Sequence, residues 1–117
     1  MDEIWGPGPF ENVWAKEWSE ALVEDESWDT LDEALNAVDE LAIAAADVVA
    51  RLLGASRPRH EAVDAWVADR ETPPESFRGR ALAAVIGLRD EGLVAEARGD
   101  DEAWRADMDT LRTALEG

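Results

Sequence analysis

Between Leu41 and Leu53 nearly every position is Ala, Val, Leu or Ile, and only Asp47 and Arg51 carry charge. A helix that is apolar on all sides has to be covered on all sides, so this segment is expected to be the central helix with the rest of the chain packed around it. Gly54 supplies its stop. Asp47 points away from the stripe Leu41, Ala45, Val48 and Leu52, and Arg51 follows one turn later. Two readings stand side by side. One is an i,i+4 ion pair; the other is a partly buried carboxylate in an apolar neighbourhood, which is costly unless hydrogen-bonded.

The flanking segments also read as helices. Asn12 is placed to cap a first helix of about residues 13 to 24, with Trp14, Trp18, Ala21 and Leu22 as its apolar face and Glu17 on the flank. Ser27 is expected to cap a second, with Trp28, Leu31, Leu35 and Val38 on one stripe. Asp39 and Glu40 then allow either a break or a continuous run into the central helix. Pro58 is expected to open a helix carrying Val63, Trp66 and Val67 on one face, with His60 exposed in its first turn. Thr72-Pro73-Pro74-Glu75 reads as a helix start with Thr72 as cap, Pro73 at the first position and Glu75 reaching back. In the helix that follows, Phe77, Ala81, Ala84, Val85 and Leu88 form one face and Leu82 and Ile86 another. Gly92 and Gly99 bracket a short piece, and Asp100 or Asp101 caps a last helix whose stripe is Trp104, Met108, Leu111 and Leu115. The fold class is therefore all-α. Residues 1–117 are expected to form a single-domain irregular orthogonal bundle of about six short helices.

The opening stretch cannot join that bundle as a helix. Trp5-Gly6-Pro7-Gly8-Pro9-Phe10-Glu11-Asn12 has two glycines, two prolines and two large aromatics, which make an ordered loop over residues 1–12 laid on the helices. Trp5, Phe10, Asn12, Glu17 and Asp47 are expected to form one cluster, the two acids accepting hydrogen bonds from the loop's N–H groups or the Trp5 indole. As a structural latch this needs no ligand, and Asp47→Ala would then cost about 1–3 kcal/mol through unpaired donors. The same cluster could instead take a cation or a small polar ligand.

The opening motif, followed by an acid next to tryptophan at Glu17-Trp18, resembles the start of a bacterial family catalogued as domain of unknown function 4259. The resemblance continues through Ala44 to Ala50, Ala65-Trp66-Val67 and the closing Trp104 to Leu115 pattern. Trp5, Gly6, Gly8, Phe10 and Asn12 match the family's opening; Glu17 stands where it usually has Asp, and Asp47 where it usually has Glu. Val13 and Trp14 depart from it, standing where the family tends to have acids, and the stretch between helices two and three is shorter. The resemblance implies a fold and brings no activity with it.

Composition narrows function by exclusion. With no cysteine there is no disulfide and no thiolate nucleophile, and His60 is the single imidazole, so no metal and no cofactor are expected. Ser19, Ser27, Ser56 and Ser76 have no histidine in a recognisable relation to them, and Gly6-Pro7-Gly8 lacks the Lys and Ser/Thr of a phosphate loop. A carboxylate hydrolase could be built only from a pair such as Glu17 and Asp47. The balance of 11 basic against 28 acidic residues gives a net charge of -17, which repels nucleic acid and anionic membrane. The expectation is a non-catalytic cytoplasmic module, inhibitor-like or immunity-like, whose acidic surface engages a basic protein, with self-association through Trp14 or Trp28 as one rival and an acidic charge that serves solubility alone as the other.

Overall fold

Seven helices surround one hydrophobic cluster in the computed structural model, which describes residues 4, 6, 8–37, 39–90, 92–99 and 101–116, of Leu93 the backbone only. In chain order they are α1 (Val13–Glu24), α2 (Asp29–Leu35), α3 (Glu40–Leu52), α4 (Glu61–Ala68), α5 (Glu75–Asp90), α6 (Gly92–Arg98) and α7 (Glu102–Glu116). The fold is all-α. Helix α3 is the hub: every residue from Ala42 to Arg51 is buried, and α1, α2, α4, α5 and α7 all pack against it. Its limits follow from local chemistry. The Asp39 carboxylate accepts the Leu41 N–H at 3.0 Å, and Gly54 adopts φ 92°, the left-handed conformation that ends a helix at little cost to glycine. Helices α2 and α3 are therefore separate.

Helix α5 lies along α3 and bridges to α7, burying Phe77, Ala81, Val85 and Leu88, while Ile86 stays 45% exposed. Helix α7 buries the whole stripe Trp104, Met108, Leu111 and Leu115, each leucine-sized side chain contributing about 1.5–3 kcal/mol. Asp101 caps it, accepting the Trp104 N–H at 3.1 Å.

Four local expectations are corrected. Helix α1 turns Ala15, Ser19 and Leu22 inward rather than Trp14 and Ala21, which are exposed, so small side chains face the alanine-rich α3. Helix α2 is capped from further back: the cap position is Trp28, the Ser27 hydroxyl accepts the Asp29 N–H at 3.2 Å, and Asp25 accepts that of Thr30 at 2.9 Å. Helix α4 starts at Glu61, with His60 as its half-buried cap accepting the Val63 N–H at 3.3 Å on Nδ1, while Asp64 accepts the His60 N–H at 3.1 Å. Helix α5 starts at Glu75 rather than Pro73. A residue that precedes proline is pushed out of the helical region, so Pro73, ahead of Pro74, cannot occupy a first helical turn.

Candidate functional site

The opening motif closes onto the bundle through its own side chains. Glu11 folds back so that its carboxylate accepts the Gly8 N–H at 2.9 Å. A Cβ on Gly6 or Gly8 would meet that carboxylate, so either substitution would push the Glu11 side chain off its present position. Asn12 is fully buried and works three ways: its Oδ1 caps α1 by accepting the Ala15 N–H at 2.8 Å, and its Nδ2 donates to the Pro9 carbonyl at 3.3 Å and to Glu40 at 3.4 Å. Arg98 closes the ring from α6, donating to the Gly6 carbonyl at 2.8 Å and to Glu40 at 3.3 Å. Phe10 meets His60 in a tilted contact, with ring centroids 4.7 Å apart and 57° between the ring planes. The result is a structural latch.

Its acids are Glu11 and Glu40, not the pair expected. Glu17 is exposed on α1, Asp47 is fully buried elsewhere on α3, and Trp5 lies outside the described residues. Among the described residues Phe10, Asn12, Gly6 and Gly8 belong to the latch, and neither Glu17 nor Asp47 bonds to it. An exposed carboxylate on one helix and a solvent-free one already bound to two arginines do not make a general acid and base. Among the described residues, no group of three or more His, Asp or Glu side chains is arranged to hold a metal.

Asp47 is the middle of a buried ionic chain. Its Oδ2 accepts from Arg51 Nε at 2.7 Å and its Oδ1 from Arg57 Nε; Arg51 continues to Asp64 at 2.7 Å, and Arg57 to both oxygens of Asp107 at 3.1 Å. The i,i+4 pair expected from sequence is present, and it extends to α4, to the α3–α4 connection and to α7. Burial alone would lower the Arg57 pKa, but Asp47 and then Asp107 outweigh it and hold the guanidinium above its ordinary value. Burial pushes the Asp107 carboxyl up against the pull of Arg57, with Asp47 and Glu11 adding to the rise. Burial acts in the same direction on Asp64, where the hydrogen bonds from Arg51 and the His60 N–H win and hold it low. The ionic chain holds three carboxylates against two guanidiniums, with Asp47 and both arginines buried and the end acids Asp64 and Asp107 reaching solvent.

Among several surface concavities, the one rimmed by acids lies at the α1–α2 corner. A groove of about 600 Å³ is lined by Val23, Asp25, Glu26, Trp28, Trp66 and, across from them, Asp69, Arg70 and Glu71. Asp25 holds the corner together with both ends of the residue. Its carboxylate accepts from the Ser27 hydroxyl and the Ser27 and Thr30 N–H groups, and those bonds keep it far below the usual carboxylate range. Its carbonyl accepts the Trp66 indole N–H at 2.9 Å and a donor of Arg70. Trp28 meets Trp66 edge-on at 6.0 Å and Phe77 at 6.0 Å, so it is a half-buried wall rather than a free anchor. On α1, the exposed Glu17, Glu20 and Glu24 lie on one face at three- and four-residue steps, an acidic ridge about 10 Å long leading to the corner. Glu17 therefore belongs to this surface.

No protein-family model, no curated protein and no solved structure matches this chain.

Proposed function

We propose that the protein is a non-catalytic binding module that captures a basic protein segment along the α1 ridge and the α1–α2 groove, in the manner of an inhibitor or immunity protein. One observation carries the reading: the groove joins an acidic rim of Asp25, Glu26, Asp69 and Glu71 to tryptophan walls. Three of the 11 basic residues, Arg51, Arg57 and Arg98, are committed to buried or nearly buried ion pairs, which adds to the acidic excess of the surface. A cationic segment entering the groove gains Coulomb attraction at the rim and aromatic contact at the wall. Complementary charge of this kind raises the association rate, and salt lowers it. The kinship with the family that the opening motif resembles is proposed on that motif and on the Ala44–Ala50, Ala65-Trp66-Val67 and Trp104–Leu115 patterns alone.

The test uses a peptide of alternating lysine and alanine, titrated calorimetrically at low salt and again at about 0.5 M salt, where screening is strong. Asp69→Lys with Glu71→Lys is expected to weaken binding by about tenfold or more, a loss of roughly 1.4 kcal/mol. Reversing the same number of exposed charges at Glu96 and Glu102, outside the groove, is expected to change affinity far less. Equal losses from the two double variants would reduce the effect to net charge and sink the reading.

A further inference from the structure

The α1–α2 corner already holds a cation, and the way it does so is specific. Between the end of α1 and the start of α2 the backbone bends so that three successive carbonyls, those of Asp25, Glu26 and Ser27, converge on one point. Arg70, just beyond α4, places its guanidinium there. Nη1 donates to the Glu26 carbonyl at 2.6 Å and to that of Ser27 at 3.2 Å, while Nη2 donates to that of Asp25. The guanidinium carbon lies 4.2 Å from the centroid of the Trp66 ring and 5.6 Å from that of Trp28. Several carbonyl acceptors beside an indole face suit a planar, five-donor, weakly hydrated cation, and a compact ammonium would satisfy only part of them. The open groove continues directly from this point, past Asp69 and Glu71.

We infer that this corner is a guanidinium receptor, filled in the free protein by Arg70 acting as a built-in plug, and that an arginine side chain of the basic partner takes the plug's place on binding. The inference rests on the binding reading above and names the side chain the partner must present. The plug does not set the chemistry of the cage; it sets its availability. While Arg70 sits on Trp66, an incoming guanidinium finds only the fraction of molecules in which Arg70 has swung out, and its apparent affinity falls by that fraction. Asp69 and Glu71 line the same groove as Arg70, so acidic side chains are at hand for the displaced guanidinium.

The experiment empties the cage. Arg70→Ala is titrated with methylguanidinium chloride and, separately, with methylammonium chloride, at constant ionic strength and millimolar concentrations well below denaturing levels. Melting temperature and the indole N–H signals of Trp28 and Trp66 are followed. Methylguanidinium is expected to raise the melting temperature saturably and to shift the Trp66 signal, methylammonium to do neither, and wild type to respond only at about tenfold higher concentration or more. A variant too unstable to fold gives the same readout, because a ligand that binds only the native state restores its helix content. An arginine-alanine peptide is then expected to bind Arg70→Ala more tightly than it binds wild type, and more tightly than the lysine-alanine peptide does. No difference between methylguanidinium and methylammonium would overturn the receptor. Methylguanidinium binding without any preference for the arginine peptide would overturn the exchange with a partner. If neither the arginine nor the lysine peptide binds wild type or Arg70→Ala while methylguanidinium still rescues Arg70→Ala, the receptor stands, and the binding reading falls together with the exchange that rests on it.

Discussion

Asp47 and Arg57 meet carboxylate to guanidinium with side chains 0% and 1% exposed, ten residues apart across the end of α3. Water reaches neither. Removing one partner of such a pair strands a charge that has already lost its hydration, at a cost of about 3–5 kcal/mol. Asp47→Ala is therefore expected to exceed the ~1–3 kcal/mol of an ordinary unpaired hydrogen bond, since both Arg51 and Arg57 lose an acceptor. Urea unfolding should show a lower midpoint with little change in slope. Arg57→Ala should behave similarly, and the double variant should lose less than the two single losses added. Additivity would show that the two residues do not act as a pair.

Acid should act on the carboxylates in two opposite directions. Asp25, with its bonds from Ser27 and Thr30, and Asp64, held by Arg51, have folded pKa values below the ordinary 3.8. Their contributions are in full force above that value and are lost as the pH falls below it toward the folded values. Asp107 is raised above 3.8, chiefly by burial, so it takes up its proton in the folded state first, and acidification through that range favours the fold at this one position. Carboxyl NMR titration is expected to place Asp107 first as the pH drops and Asp25 and Asp64 later. The stability gap between wild type and Asp25→Asn should be widest near neutral pH and narrow below about pH 4. A gap that is constant with pH would mean that the Asp25 charge is not what holds the corner.

The fold was legible where one residue decides. The apolar run Leu41–Leu53, the cap at Asn12, the glycine stop at Gly54 and the stripe Trp104, Met108, Leu111 and Leu115 each follow from local periodicity or local chemistry, and each is found. What could not be read is partner choice among like charges. Arg98 and Glu40 are 58 residues apart, and Arg57 and Asp107 are 50 apart. In a chain with 28 acids, nothing local distinguishes the one each arginine selects. Glu17 was drawn into the latch by its place in the motif, whereas the helix phase turns it to solvent. The missed signal was Glu11 itself: a carboxylate three residues beyond a glycine is within reach of that glycine's N–H.

Caps separate two helix starts that look equally good in sequence. Asn12→Ala removes the acceptor for the Ala15 N–H and also the donor to Glu40, all buried, so a loss of about 1–2 kcal/mol is expected. Thr72 is exposed and three residues ahead of α5, with no capping bond among the described residues. Thr72→Ala is expected to stay within about 0.5 kcal/mol of wild type. Thermal unfolding of both variants decides it, and a large loss at Thr72 would restore the capping box that the structure moves aside.

Glu40 has the most to lose in the latch, because it is the acceptor shared by Asn12 from the loop and Arg98 from α6. Glu40→Gln keeps its shape and one acceptor oxygen but removes the charge that Arg98 faces. Arg98 still reaches the Gly6 carbonyl, so the chain should not unfold globally. The loop should instead open more often as a unit, a local event with its own free energy. Amide exchange at Gly8, Glu11 and Ala15 is expected to speed up by about tenfold, or roughly 1.4 kcal/mol, while Met108 and Leu111 in the core change much less. A uniform acceleration over all five amides would mean that Glu40 stabilises the bundle as a whole. No acceleration anywhere would mean that the carboxylate contributes nothing that a neutral amide does not, and the latch would then rest on Asn12 and the Glu11 turn alone.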